Sequence, residues 1–229
     1  DDIPDIFKYN VEPIVTNIPF IMELHRFANS INSSINVHLK VDTGMGRIGC
    51  NPTETVGILK HIKTLKNINV IGLCTHLSTS DEEDKDYSFN QISQFKDIIN
   101  NLKEVNLLPP IIHCANSGGI LNFPNSLFNL VRPGIALYGY PPNSELYNSL
   151  NFKPALSLKS KIVELKLKKK DSHISYGRTY TTKADEFIAT IPIGYADGYP
   201  RSLSNRSYVV INSKKFPVVG TICMDQIMV

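Results

Sequence analysis

From residue 11 to about residue 140, short Val/Ile-rich runs alternate with longer amphipathic stretches, and after Pro154 the helical period stops. Val11-Glu12-Pro13-Ile14-Val15 precedes a helix predicted near 19–33, residues 35–41 precede one near 52–66, and residues 69–75 precede a long one near 84–105. Residues 110–114 and 128–131 supply two more predicted strands. Strands alternating with helices of this length argue for a parallel sheet of βα units. Residues 155–168, 187–193, 207–212 and 215–222 instead cluster β-formers between Gly, Pro, Asn and Ser, so a second, all-β domain is expected. The expected domains are 1–145 and 150–229, joined by Pro141-Pro142-Asn143-Ser144 and the polar stretch through Asn151.

Five βα units fall short of the eight that close a barrel, so the expected fold is α/β: a partial TIM (β/α)8 barrel followed by a partial all-β domain. About three units, on the order of 90 residues, are expected to be missing from the front. The chain stops inside the strand-like run Gln226-Ile227-Met228-Val229, which reads as truncation at both ends. With 42% hydrophobic residues in 229, the chain can bury a real core. A net charge of +3 is too thin for a nucleic-acid partner, and the basic run at 159–170 alternates charge with apolar residues like a half-exposed strand. Cys50, Cys74, Cys114 and Cys223 are widely spaced and read as reduced thiols. No apolar run reaches bilayer length and Asp1-Asp2-Ile3-Pro4 is no signal peptide, so the expected location is the cytoplasm, with no membrane partner.

In residues 37–42 a period of two puts His38, Lys40 and Asp42 on one face and Val37, Leu39 and Val41 on the other. Lysine is a poor ligand and His-x-Lys-x-Asp matches no common metal spacing, so no metal site is expected. A buried charge network is the better reading, with Arg47 as the partner that Lys40 and Asp42 need. Gly44-x-Gly46-x-x-Gly49 mimics a dinucleotide fingerprint between a strand and a helix. The next strand ends in Thr75-His76, where such a fold would want an acid, and an arginine interrupts the loop, so a nicotinamide enzyme is set aside.

Lys40-Val41-Asp42-Thr43-Gly44-Met45-Gly46-Arg47, Arg132-Pro133-Gly134, Ser175-Tyr176-Gly177, the run at 192–199 and Cys223-Met224-Asp225-Gln226 together resemble alanine racemase, nearly end to end. The resemblance implies a fold-type III enzyme that uses pyridoxal 5′-phosphate to interconvert L- and D-alanine for the bacterial cell wall. It gives Arg47 the substrate carboxylate and makes Lys40 the lysine that becomes carbamylated and steadies that arginine. Arg132 would face the pyridine nitrogen of the cofactor, and because arginine keeps its protons at working pH, the nitrogen would accept a hydrogen bond and stay uncharged. Ser117, Gly134 and Ile135, with Asn116, lie on loops after consecutive strands and would cradle the cofactor phosphate. Asn116 and Ser117 taken alone also suit a helix cap.

Racemisation needs a base on each face of the α-carbon. The family's tyrosine motif makes Tyr176 one of them, with His76 linking it to Arg132; a tyrosine with a solution pKa of about 10 needs nearby cations to act. Met224 and Asp225 would contact substrate, and Tyr195 would line the entrance. Because the tyrosine comes from the neighbouring subunit in the family, a head-to-tail homodimer is expected. The family's other base, the lysine that anchors the cofactor, has no counterpart here, since Lys8 precedes the wrong strand. Alternatives are a broad-specificity amino-acid racemase, a related decarboxylase, whose catalytic cysteine-aspartate motif is not found, or a non-catalytic, barrel-only cofactor carrier, against which the β domain argues. The 229 residues alone are expected to be inactive.

Overall fold

The computed structural model of the chain describes residues 2–143 and 151–229. The linker residues 144–150 lie outside the described residues. The chain divides into two compact units, Asp1–Leu156 and Ser157–Val229.

In the first unit, after the short helix α1 (Ile3–Lys8), strands and helices alternate: β1 (Ile14–Val15), α2 (Ile18–Ser30), β2 (Ile35–Lys40), α3 (Thr55–Ile62), β3 (Ile68–Cys74), α4 (Asp86–Glu104), β4 (Ile111–His113) and α5 (Ser117–Asn122). The strands pair in parallel in the order β1-β2-β3-β4, so each crossover carries one helix, as parallel neighbours require. The helix starts are written locally. Asn17 accepts from the Phe20 N–H with Pro19 in the first turn of α2, and Asn51 with Glu54 forms a capping box on the turn that leads into α3.

Val37, Leu39 and Val41 of the β2 strand and its extension are fully buried and join Leu73 in the main core. Against them α4 turns Phe95, Ile98, Ile99 and Leu102, which recur three or four apart on one face. Burying each such side chain contributes roughly 1.5–3 kcal/mol. The opposite face of β2 holds His38 and Lys40, buried as well at 8% and 5% exposure, which leaves polar chemistry on the inner side of the sheet.

The strand predicted at 128–131 does not form. Phe128 sits at φ 41°, and Asn129 meets β4 with its side chain: Oδ1 accepts the Ile112 N–H at 2.7 Å and Nδ2 donates to the Pro110 carbonyl at 2.7 Å. An amide side chain thus occupies backbone groups that a ladder would have used. Among its described residues the first unit therefore has four strands where five were expected.

The second unit contains β5 (Glu164–Lys168), β6 (His173–Ile174), β7 (Tyr180–Thr181), β8 (Glu186–Ile191), β9 (Tyr208–Ile211), β10 (Lys214–Pro217) and β11 (Ile227–Met228). All its pairs are antiparallel: β5 and β11 flank β8, β6 pairs with β7, and β9 pairs with β10. The strand expected over 155–168 begins only at Glu164. Ahead of it the chain bonds to the β8 region through the Val163 N–H on the Thr190 carbonyl.

Candidate active site

Arg132 gathers the ends of β3 and β4. Its backbone N–H donates to the Ala115 carbonyl at 2.9 Å. Nη2 donates to the carbonyls of Thr75 at 2.7 Å and Cys114 at 3.3 Å and to His76 Nδ1 at 3.3 Å. Nη1 donates to His113 Nδ1. Burial, then the Arg132 charge, push His76 down to about 4 and His113 down to about 3, so both imidazoles are neutral near neutral pH. Among the described residues no carboxylate pairs with Arg132. A half-buried guanidinium held by neutral acceptors keeps its charge available for something else.

Lys40 is 5% exposed, and burial, with Arg47 and Arg132 nearby, lowers its pKa against the opposing pull of Cys74 and Asp42. The expected Arg47 partnership does not form. Asp42 turns its carboxylate on its own loop, accepting the N–H of Gly44 at 2.9 Å and of Gly46 at 3.0 Å. Burial would raise that carboxyl, but these backbone donors outweigh it and the pKa is lowered. The glycines of the fingerprint-like string serve this wrap: Gly49 adopts φ 142°, and a side chain there would strike the Asp42 backbone at 2.6 Å. Arg47 is left exposed on the loop, without a carboxylate partner among the described residues.

Ser117 is buried at the start of α5, and its Oγ accepts the N–H of Gly134 at 2.9 Å and of Ala136 at 3.2 Å. Asn116 caps the same helix by accepting the Gly119 N–H, accepts the Ser80 hydroxyl, and donates to the Leu77 carbonyl at 3.0 Å. Ile135 opens the turn that follows and is exposed. Arg132 bonds to His76, Ser117 bonds to Gly134, and Asn116 Nδ2 lies 3.5 Å from His76 Nε2, so these five residues sit together at one end of the parallel sheet.

In the second unit the remaining candidates share one group of loops. The Tyr195 N–H donates to the Cys223 carbonyl at 3.1 Å and the Ala196 N–H to the Met224 carbonyl at 2.9 Å. Thr221 Oγ1 donates to the Tyr176 carbonyl at 2.8 Å, and the Ser175 hydroxyl donates to the Thr221 carbonyl. Tyr176, Tyr195 and Met224 are 69%, 48% and 60% exposed, and Asp225 is exposed beside them. Large apolar side chains held out by rigid, hydrogen-bonded loops are suited to meeting a partner or ligand.

Reading the motifs missed His113 and Glu12. The first ends β4 next to Arg132, and the second approaches His38 Nε2 at 3.5 Å. A histidine at the end of β4, two residues before Ala115-Asn116, was the available signal.

The fold and these two groups of residues define a two-domain protein: parallel βα units with a basic cluster at the strand ends, then an antiparallel β domain. Residues 1–142 match the family model described as alanine racemase, N-terminal domain, and residues 155–229 the one described as alanine racemase, C-terminal domain. The chain belongs to the alanine racemase family. It is 44% identical to an alanine racemase of Treponema denticola over 232 aligned positions, which take in 100% of this chain and 61% of that protein. A solved alanine racemase of Clostridium difficile 630 superposes with a TM-score of 0.91 at 38% identity, over 99% of this chain and 60% of that one. The alanine racemase of Bartonella henselae with covalently bound pyridoxal phosphate superposes with a TM-score of 0.78 at 27% identity, over 100% of this chain and 62% of that one. The chain therefore spans about three-fifths of the length of these relatives.

Proposed function

We infer that the protein carrying this chain is a cytoplasmic, pyridoxal 5′-phosphate-dependent alanine racemase that supplies D-alanine for peptidoglycan and works as a homodimer with shared active sites. The observation that carries this reading is the Arg132 guanidinium, anchored on His113, His76 and two carbonyls with no acid against it. Lys40, buried near the positive charges of Arg47 and Arg132, completes a basic cluster that suits an anionic cofactor and an amino-acid carboxylate. Family membership supports the same activity, and no described helix is long and apolar enough to cross a membrane.

When bound, pyridoxal phosphate supplies an electron sink that acidifies the α-hydrogen of the substrate. Ser117 Oγ and the backbone N–H of Ile135 would hold its phosphate, joined by the Gly134 N–H as it turns from Ser117 Oγ to the anion, with Asn116 fixing the helix start beneath them. Arg132 would donate to the ring nitrogen; unable to give up a proton, it keeps that nitrogen an acceptor and restrains the sink. The neutral His113 and His76 leave the guanidinium as the charge facing the ring. Arg47 would take the alanine carboxylate, for which a planar fork is well matched. Lys40, when carbamylated, would give Arg47 an anion to lean on.

Tyr176 Oη would move the proton on one face of the α-carbon in the neighbouring subunit's site, with His76 relaying its link to Arg132. Met224 and Asp225 would contact substrate there, and Tyr195 would narrow the entrance. Positioned acid–base groups contribute typically about 10²–10⁴-fold to rate. The test is to incubate L- or D-alanine with the protein carrying this chain in deuterated water and follow the opposite enantiomer and α-deuteration by NMR. Tyr176→Phe should slow proton removal from L-alanine about 10²-fold or more, with a much smaller effect on D-alanine. Equal loss for both enantiomers would refute the role of Tyr176, and no racemisation of alanine by the unsubstituted protein would refute the function.

A further inference from the structure

Behind Arg132 lies a line of polar groups that the reaction itself does not use. His113 Nε2 stands 2.9 Å from His38 Nδ1, with the rings edge to face at 69° and centroids 5.0 Å apart. His38 Nε2 stands 3.5 Å from Glu12 Oε2, and the other oxygen of that carboxylate accepts from Asn36 Nδ2 at 3.2 Å. Both imidazoles are buried, whereas the Glu12 side chain is 47% exposed.

We propose that Glu12, His38 and His113 form a one-way hydrogen-bond relay that fixes the tautomer of His113 and so presents its Nδ1 lone pair to Arg132. Each link forces the next. Arginine has donors only, so His113 Nδ1 must be bare. A neutral His113 then carries its proton on Nε2 and donates to His38 Nδ1, which must also be bare. His38 accordingly carries its proton on Nε2, aimed at the carboxylate of Glu12. The opposite arrangement would set the His113 Nδ1–H against the Arg132 N–H, two donors facing each other in a buried site. Glu12 and His38 are positioning residues: they act on the pocket through His113, as outer partners orient metal-bound histidines elsewhere.

The backbone is built around this line. The β2–β3 register slips between Val37 and His38, so that Val37 pairs with Val70 but His38 with Gly72. A Cβ at Gly72 would overlap the His38 ring. The slip and the glycine together open the room in which one imidazole can reach the other.

The relay rests on hydrogen-bond geometry alone; its bearing on catalysis rests on the reading of Arg132 given above. The test is long-range 1H–15N correlation of the full chain labelled in its histidine rings. His113 and His38 should both show a protonated Nε2 and a bare Nδ1, with a coupling across the hydrogen bond between His113 Nε2 and His38 Nδ1. A protonated Nδ1 on His113 or an even mixture of tautomers would overturn the proposal. Gly72→Ala should abolish the coupling and expose the His113 Nε2–H to solvent exchange. Glu12→Ala, at a half-exposed side chain that a fold tolerates, should turn His38 into a mixture of tautomers; an unchanged His38 spectrum would remove Glu12 from the relay. Pyridoxal phosphate titrated into a sample labelled in its arginine guanidinium groups as well as its histidine rings tests the other reading separately. Ring signals as expected, with no response of the Arg132 guanidinium resonances to the cofactor, would keep the relay and sink the cofactor role.

Discussion

Ser117 Oγ accepts two backbone donors at once, Gly134 N–H at 2.9 Å and Ala136 N–H at 3.2 Å, and so fastens the first turn of α5 to the loop that follows Arg132. Ser117→Ala leaves both N–H groups without that acceptor, at a cost of roughly 1–3 kcal/mol. On the proposed reading the same change weakens pyridoxal phosphate binding about tenfold, since ~1.4 kcal/mol is a factor of ten. Thermal unfolding and a fluorescence titration with the cofactor check the two effects separately. Loss of stability with unchanged affinity would leave Ser117 as a fastener only.

His113 and His76 predict acid sensitivity of the first unit. Both are lowered from an ordinary 6.5, to about 3 and about 4, chiefly by burial and then by Arg132. In the unfolded chain they take up protons near 6.5, whereas in the folded chain they resist, so the unfolded state binds more protons below neutrality. Stability should be full above 6.5, fall as the pH drops through the interval down to about 3, and level off below it as far as these two groups are concerned. Denaturant midpoints measured across that range test this. His113→Gln, which keeps a side-chain acceptor for Arg132, should flatten part of the slope; an unchanged slope would show that His113 charges without penalty.

Asp42 makes the opposite kind of contribution. Its pKa is lowered because the N–H groups of Gly44, Gly46 and Met45 outweigh the effect of burial. Its stabilisation is present above the ordinary 3.8 and disappears as the pH falls through the depressed value. Asp42→Ala should release the loop that carries Arg47, raising amide exchange at Gly44 and Gly46 by about 10-fold or more, since hydrogen bonds to a charged group contribute roughly 1.5–3 kcal/mol. Exchange rates at these two amides that stay at the wild-type value would show that Tyr87, whose hydroxyl donates to the Gly44 carbonyl at 2.9 Å, holds the loop by itself.

The alternation in residues 37–42 was enough to place Lys40 and His38 on the inner face and Val37, Leu39 and Val41 in the core, because a strand buried on both sides still obeys a period of two. The helix of α4 was legible for the same reason, its apolar residues recurring at three and four. What the pattern could not show was where a side chain replaces a backbone partner. Asn129 takes the β4 groups and cancels a strand that Phe128-Asn129-Leu130-Val131 suggests by composition. Asp42 closes on its own loop where the pattern predicts a charge pair with Arg47, because the local N–H donors of Gly44 and Gly46 cost less ordering than one long side chain. The His38–His113 contact joins residues 75 apart and depends on a register slip, which no local period encodes.

Lys40 predicts a covalent adduct that can be seen directly. Its amine is buried, lies near the positive charges of Arg47 and Arg132, and has a lowered pKa, burial being the largest cause. A neutral amine can attack carbon dioxide: the N–C bond forms, one C=O pair moves onto oxygen, and a proton leaves to water. The product carries a negative charge, which those two guanidinium groups would favour over the ammonium they repel. Incubation with 13C-bicarbonate at mildly alkaline pH should therefore give a carbamate carbonyl resonance that decays as the pH is lowered and the amine protonates. Lys40→Ala and Lys40→Arg should both remove it, the arginine showing that positive charge at this place is not a substitute. A carbamate signal that survives both substitutions belongs to another amine, and its absence from the unsubstituted chain would mean that Lys40 serves the pocket as an amine alone.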